Sequence, residues 1–180
     1  GYMYDRGQGV VRDYQQAVFW YRKAADQGNA PAQYNLGFMY SNGQGVVQDD
    51  EAAVKWYRLA ADQGDADAQT NLGVMYDDGR GVVQDYEEAG KWYRLAADQG
   101  HAPAQFNLGY AYDTGQGVAQ DDEEAGKWYR LAADQGIASA QANLGAMYDN
   151  GRGVVQGDEE AVKWFRLAAD QGYARAQYNL

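Results

Sequence analysis

The sequence predicts an all-α fold, an α-solenoid of stacked antiparallel helix pairs, and three observations predict it. The 180 residues divide into five copies of 36, residues 1–36, 37–72, 73–108, 109–144 and 145–180, with 18 of the 36 columns identical in every copy. Self-similarity at such a period marks an array of small supersecondary units. Within each copy, apolar residues recur at spacings of three and four, the helical period. Glycines then punctuate every copy at the same places, as Gly43, Gly45 and Gly64 do in the second.

The first helix of a copy is expected from Ala30 to about Ser41, where Ala32, Leu36, Met39 and Tyr40 form the periodic stripe. Gly43 closes it in the left-handed conformation, and Gly43-Gln44-Gly45 turns the chain back, anchored by Val46 and Val47. The second helix is expected to start at Asp49, with Asp13, Asp85 and Asp121 as equivalents, each placed to accept from free first-turn amides. Gln16, Glu88, Glu124 and Glu160 stand three residues after the cap, the spacing of a capping box. In the fifth copy Gly157 occupies the cap, so Asp158 is expected to take over. Ala53, Trp56, Tyr57, Ala60 and Ala61 make the apolar stripe; Lys55, Arg58 and Asp62 are expected to face out, with Arg22/Asp26 and its equivalents as surface i,i+4 pairs. Two helices of this length cannot bury their faces alone, so successive copies must stack into one array.

Composition narrows the function. A chain that is 46% hydrophobic and 23% charged has the material to fold. Its formal charge of −11, from 15 basic and 26 acidic residues, argues against nucleic acid and for a neutral or basic partner. No stretch approaches the ~20 apolar residues that span a bilayer, and no targeting segment opens the chain, so no membrane insertion is expected. There is no cysteine and one histidine, His101, which leaves no metal or cofactor to assign.

The run Ala32-Gln33-Tyr34-Asn35-Leu36-Gly37-Phe38-Met39-Tyr40, followed by Gly43-Gln44-Gly45-Val46, Asp49, Ala53, Trp56, Ala60-Ala61 and Gly64, resembles the Sel-one-like repeat family, a 36-residue relative of the tetratricopeptide repeat. The resemblance covers the whole chain. It implies a tetratricopeptide-like superhelix that supplies adaptor or scaffold surfaces for protein complexes. Some secreted bacterial members carry a disulfide in every repeat and have been linked to penicillin-binding or β-lactamase activity; a chain without cysteine departs from that subgroup. The array is expected to begin and end within a first-type helix, as a segment of a longer one. Joining Leu180 to Gly1 would restore the internal Asn-Leu-Gly sequence, which raises head-to-tail self-association.

Candidate chemistry is sparse, and no catalytic residue is assigned. Asp121-Asp122-Glu123-Glu124 is read as a first helical turn favoured by the helix dipole, and the Asp77–Gly81 turn lacks the bidentate glutamate of a calcium loop. The columns that vary carry the binding reading. Tyr34 and Phe38, Thr70 and Val74, Phe106 and Tyr110, and Ala142 and Ala146 fall on one face of the first helices, large alternating with small. In stacked hairpins of the tetratricopeptide type this face lines a concave groove. With repeats about 10 Å apart, aromatic walls about 20 Å apart would enclose pockets spanned by roughly six extended residues. The alternation also suits the packing of a curved stack. Asn35, Asn71, Asn107 and Asn143 lie at the groove edge, where an amide can hold a peptide backbone or bond between repeats. Gln33 and its equivalents are expected on the core side in a structural role. The sequence thus points to a non-enzymatic scaffold that binds a peptide or protein, with a spacer or self-assembling array and a hydrolase as the other readings.

Overall fold

The computed structural model describes residues 1–180 and contains eleven helices and no strand. The chain forms two compact units, Gly1–Trp92 and Tyr93–Leu180. The first contains α1 (Tyr2–Arg6), α2 (Tyr14–Ala25), α3 (Ala30–Asn42), α4 (Asp50–Ala61), α5 (Ala66–Asp78) and the opening turns of α6 (Tyr86–Asp98). The second contains the end of α6, then α7 (Ala102–Thr114), α8 (Asp122–Asp134), α9 (Ala138–Asn150), α10 (Asp158–Asp170) and α11 (Ala174–Asn179). Odd-numbered helices are the first-type helices and even-numbered ones the second type.

Each core forms between copies, which is why a lone hairpin has none. In the first unit Ala53, Val54, Tyr57, Ala60 and Ala61 of α4 pack with Ala68, Leu72 and Met75 of α5, and Trp92 of α6 completes the cluster. The second unit repeats the rule with Ala125, Tyr129, Ala132 and Ala133 of α8, Ala140, Leu144 and Met147 of α9, and Trp164 of α10. Within a hairpin, contact comes from an aromatic ring laid on glycine. A Cβ on Gly37 would stand 2.8 Å from the Tyr57 ring, and one on Gly109 would stand 2.8 Å from the Tyr129 ring. Distances that short exclude any side chain unless the ring shifts.

Local signals set the boundaries. Gly43 ends α3 with φ 65° in the left-handed region, as its sequence position implies. Asp13, Asp49, Asp85 and Asp121 accept from amides of the following turn. The capping boxes do not close, because the backbone N–H of each cap goes to a tyrosine carbonyl at the end of the preceding first helix, at 3.0 Å for Asp49 to Tyr40 and Asp121 to Tyr112. The glutamates turn elsewhere. Glu88 accepts from Lys91 Nζ at 3.0 Å and from Trp92 Nε1 at 3.1 Å, and Glu124 accepts from Lys127 Nζ at 2.6 Å. The expected replacement cap at Asp158 is also corrected: Gly157 keeps the cap position without a side-chain bond, held by its own N–H to the Tyr148 carbonyl.

Two polar ladders tie copies together. Gln33 and Gln141, both buried, donate through Nε2 to the Ala25 and Ala133 carbonyls of the preceding second helices, and accept from Gln63 and Gln171. The expected Arg22/Asp26 surface pairs do not form. Instead Arg22, Arg58, Arg94 and Arg130 donate to the hydroxyls of Tyr40, Tyr76, Tyr112 and Tyr148. Each of these guanidinium groups also lies over a tryptophan of the next second helix, Trp56, Trp92, Trp128 or Trp164, at 5.4–5.8 Å. The flat cation finds a ring and a hydroxyl at once, which a solvated carboxylate one turn away does not offer.

Candidate functional site

Position 34 of the copy points its side chain at the aromatic residue of the paired second helix. A ring there crosses the packed layer. Tyr34 stacks on Tyr57 at 5.9 Å and Phe106 on Tyr129 at 5.8 Å, and both remain half-buried. Short side chains end inside, so the expectation of an open wall is corrected for Thr70 and Ala142, which are 5% and 3% exposed. Thr70 Oγ1 donates to the Ala66 carbonyl, and Ala142 packs with Ala161, Phe165, Ala168 and Ala176. Position 38, one turn on, reaches solvent: Phe38 and Tyr110 are 40% and 44% exposed, while Val74 and Ala146 are half-buried. Asn35, Asn71, Asn107 and Asn143 are half-buried beside them.

Between successive first helices these residues border clefts, and the same copy positions line three of them, two in the first unit and one in the second. The first, about 520 Å³, has Tyr34, Asn35 and Phe38 of α3 facing Asp5 and Arg6 of α1. The second, about 140 Å³, sets Phe38 and Ser41 of α3 against Asn71, Val74 and Met75 of α5, with Arg80 at its rim. The third, about 210 Å³, sets Tyr110 and Asp113 of α7 against Asn143, Ala146 and Met147 of α9, with Arg152 at its rim. Phe106, Asn107, Thr70 and Ala142 are not among the residues lining these clefts.

The amides divide their bonds. Asn35 donates to the Pro31 carbonyl of its own helix at 2.7 Å. Burial pushes the Tyr57 and Tyr129 hydroxyls well above the ordinary tyrosine value, and hydrogen bonds from Asn71 and Asn143 pull in the other direction. A carboxamide has two donors and an acceptor, so one such bond does not exhaust it.

The sequence reading of the aromatic pairs missed the arginines. Arg80 grips Asp50 of the preceding copy, Nη2 to Oδ1 at 2.7 Å and Nε to Oδ2 at 3.2 Å, and reaches Ser41 Oγ at 3.2 Å. Arg152 does the same to Asp122, at 2.6 and 3.4 Å, and also donates to Asp113 at 2.6 Å. These bonds hold both guanidinium groups charged, Arg152 most firmly. A signal was present in the sequence. The column of Gln8, Gln44, Arg80, Gln116 and Arg152 varies in step with the residue thirty positions earlier, so that Gln44 follows Tyr14, Arg80 follows Asp50, Gln116 follows Tyr86 and Arg152 follows Asp122. It runs at twice the copy length, the period of the large and small residues on the first helices.

No group of three or more histidine, cysteine or carboxylate side chains is placed to hold a metal ion, and no helix is long and apolar enough to cross a membrane.

Helix pairs that recur at a 36-residue period, with cores formed between successive copies, define an all-α helical repeat protein. The Sel1 repeat profile matches residues 1–29, 30–65, 66–101, 102–137 and 138–173, and the chain belongs to the Sel1 repeat family. That fold is commonly a protein-interaction scaffold. The chain is 44% identical to c5321, a protective antigen present in uropathogenic Escherichia coli strains with the same fold, at a TM-score of 0.95 over 99% of this chain and 38% of that one. It thus spans well under half of that relative's length. A Sel1 repeat protein from Oxalobacter formigenes is also 44% identical, at a TM-score of 0.91 over 99% of this chain and 73% of that one. The immunity protein Pa5087 from Pseudomonas aeruginosa is 26% identical, at a TM-score of 0.59 over 93% and 62% of the two chains. No curated protein matches the sequence.

Proposed function

We propose that the chain is a non-enzymatic adaptor that holds an extended segment of a partner protein against the first helices within a unit, with side chains of the segment entering the clefts there. The observation that carries this reading is that the same copy positions line clefts within each unit, with the exposed ring of Phe38 or Tyr110 beside an asparagine amide. Exposed rings set among charged and amide side chains suit a peptide segment, which offers apolar side chains and backbone polar groups together. Phe38 and Tyr110 supply rigid aromatic surface, the residue type in which binding energy concentrates. Asn35, Asn71 and Asn143 supply amides for the peptide backbone, and Tyr34 adds a second ring to the first cleft. A formal charge of −11 favours partners that are neutral or basic overall.

The test compares the wild-type chain with a Tyr34, Phe38, Phe106 and Tyr110 quadruple alanine variant in affinity capture, followed by titration of a protein that only the wild type retains. Replacing Phe106 and Tyr110 by alanine should weaken that partner by more than about 1 kcal/mol. Val74→Phe and Ala146→Phe should block it by filling the second and third clefts, with helical circular dichroism unchanged. Affinity indifferent to all of these substitutions rejects the reading.

A further inference from the structure

The first cleft carries charges that its counterparts lack. Where other copies have Gln48, Gln84, Gln120 and Gln156, the first has Arg12; where they have Asn42, Asp78, Thr114 and Asn150, it has Arg6. In the second and third clefts the rim arginine is already gripped by Asp50 or by Asp122 and Asp113, and the third is lined as well by Arg175, which stands in another column, that of Pro31 and Pro103. Arg12 makes no ion pair, and its guanidinium lies over the Tyr14 ring at 5.4 Å. Arg6 lies over the Tyr2 ring at 5.9 Å and stands 4.0 Å from Asp5, whose Oδ2 also accepts from the Tyr21 hydroxyl at 3.2 Å. The residues lining the cleft, Asp5, Arg6 and Arg12 among them, sum to one net positive charge in a chain of net −11, as do the linings of the other two; what sets the first apart is that Arg12 has no carboxylate partner.

We propose that this cleft binds the side-chain carboxylate of an aspartate or glutamate in a partner segment, with the neighbouring apolar residue of that segment covered by Tyr34 and Phe38. The inference rests on the adaptor reading above and assigns one of its contacts. A planar guanidinium meets a carboxylate through two parallel N–H donors, and an arginine already stacked on a tyrosine has lost much of its freedom before the guest arrives. Arg12 is the principal anchor, Arg6 the second, and the Asn35 amide stands beside them. One net charge balances one carboxylate. The negative field of the whole chain opposes polyanions at long range, whereas a single carboxylate in an otherwise neutral or basic segment is held by short-range bonds. The cleft, about 520 Å³, has room for the acidic side chain and its neighbour together.

The experiment titrates the intact chain, labelled with ¹⁵N, with acetyl-Glu-Leu-amide, acetyl-Gln-Leu-amide and acetyl-leucine bearing a free carboxyl end. The Glu peptide should shift the Asn35 side-chain amide and the Arg12 Nε–H signal saturably. The Gln peptide should bind about tenfold more weakly, the loss expected for one charge-assisted contact. Arg12→Gln installs the residue that the other copies carry, so the fold is retained, and it should weaken the Glu peptide by a similar factor; Arg6→Asn should weaken it less. Equal binding of the Glu and Gln peptides, indifference to Arg12→Gln, no saturable shift, or tighter binding of the free carboxyl end would each overturn the assignment. A partner lost on Phe38→Ala and Tyr110→Ala but retained on Arg12→Gln overturns the carboxylate site and leaves the adaptor reading standing. A partner indifferent to all three substitutions overturns the adaptor reading itself.

Discussion

Gly109 and Gly126 both lie inside helices and have opposite roles. A methyl group on Gly109 would meet the Tyr129 ring at 2.8 Å, whereas one on Gly126 would meet Met147 Cε at 3.4 Å, ordinary contact. Gly109→Ala should therefore destabilise by about 1–3 kcal/mol through overpacking. Gly126→Ala should stabilise by about 0.5–1 kcal/mol, because alanine loses less backbone freedom in a helix. Urea denaturation of the two variants checks both signs, and Val18, Val54 and Val162 at the position of Gly126 show that the site accepts a side chain. The position of Gly109 was legible as invariant, but its reason was not, since the ring that demands it lies twenty residues downstream on another helix. Thr70 and Ala142 went astray for a related cause. Angular position on one helix separates inward from outward faces, yet whether a side chain emerges also depends on its length relative to the neighbour it must pass.

At the scale of elements, the turns do two jobs that separate cleanly. Gly64 has φ 90° with open space around the missing methyl, so Gly64→Ala should cost about 1–2 kcal/mol of left-handed strain alone. Gly81, at φ 68°, would in addition drive a methyl into the Asp50 carbonyl at the start of the preceding copy's second helix, and Gly81→Ala should cost about 3 kcal/mol or more. Thermal melting of the two variants separates strain from stacking. The second helices make a further prediction. A tyrosine is neutral while protonated, and burial keeps the Tyr57 and Tyr129 protons in place above the ordinary value of 10.0. Stability is then complete below about pH 10, where the unfolded chain begins to release those protons, and falls as pH rises further. In a plot of urea midpoint against pH, a Tyr57→Phe and Tyr129→Phe double variant should show a shallower alkaline limb; Phe165 shows that the ring position needs no hydroxyl. Helix starts and stops were readable because caps and glycines act over three or four residues. The failure of the capping box was not, because the tyrosine carbonyl that captures the cap N–H belongs to the helix before the turn.

For the molecule as a whole, the repeat length and the helix pairs followed from periodicity alone. What escaped was the coupling between columns. Arg80 and Arg152 reach 30 and 39 residues back, and no local pattern announces such a reach. The alternation in sequence of Gln with Tyr and of Arg with Asp, thirty residues apart, constrains how such a gene can grow or shrink. Excising residues 66–101 would set Gln116 behind Asp50 and orphan that carboxylate, whereas excising 30–101 would set Gln116 behind Tyr14, the combination Gln44 already makes there. Lengthening or shortening by recombination should therefore be tolerated best in steps of two copies, making the heritable module a doublet.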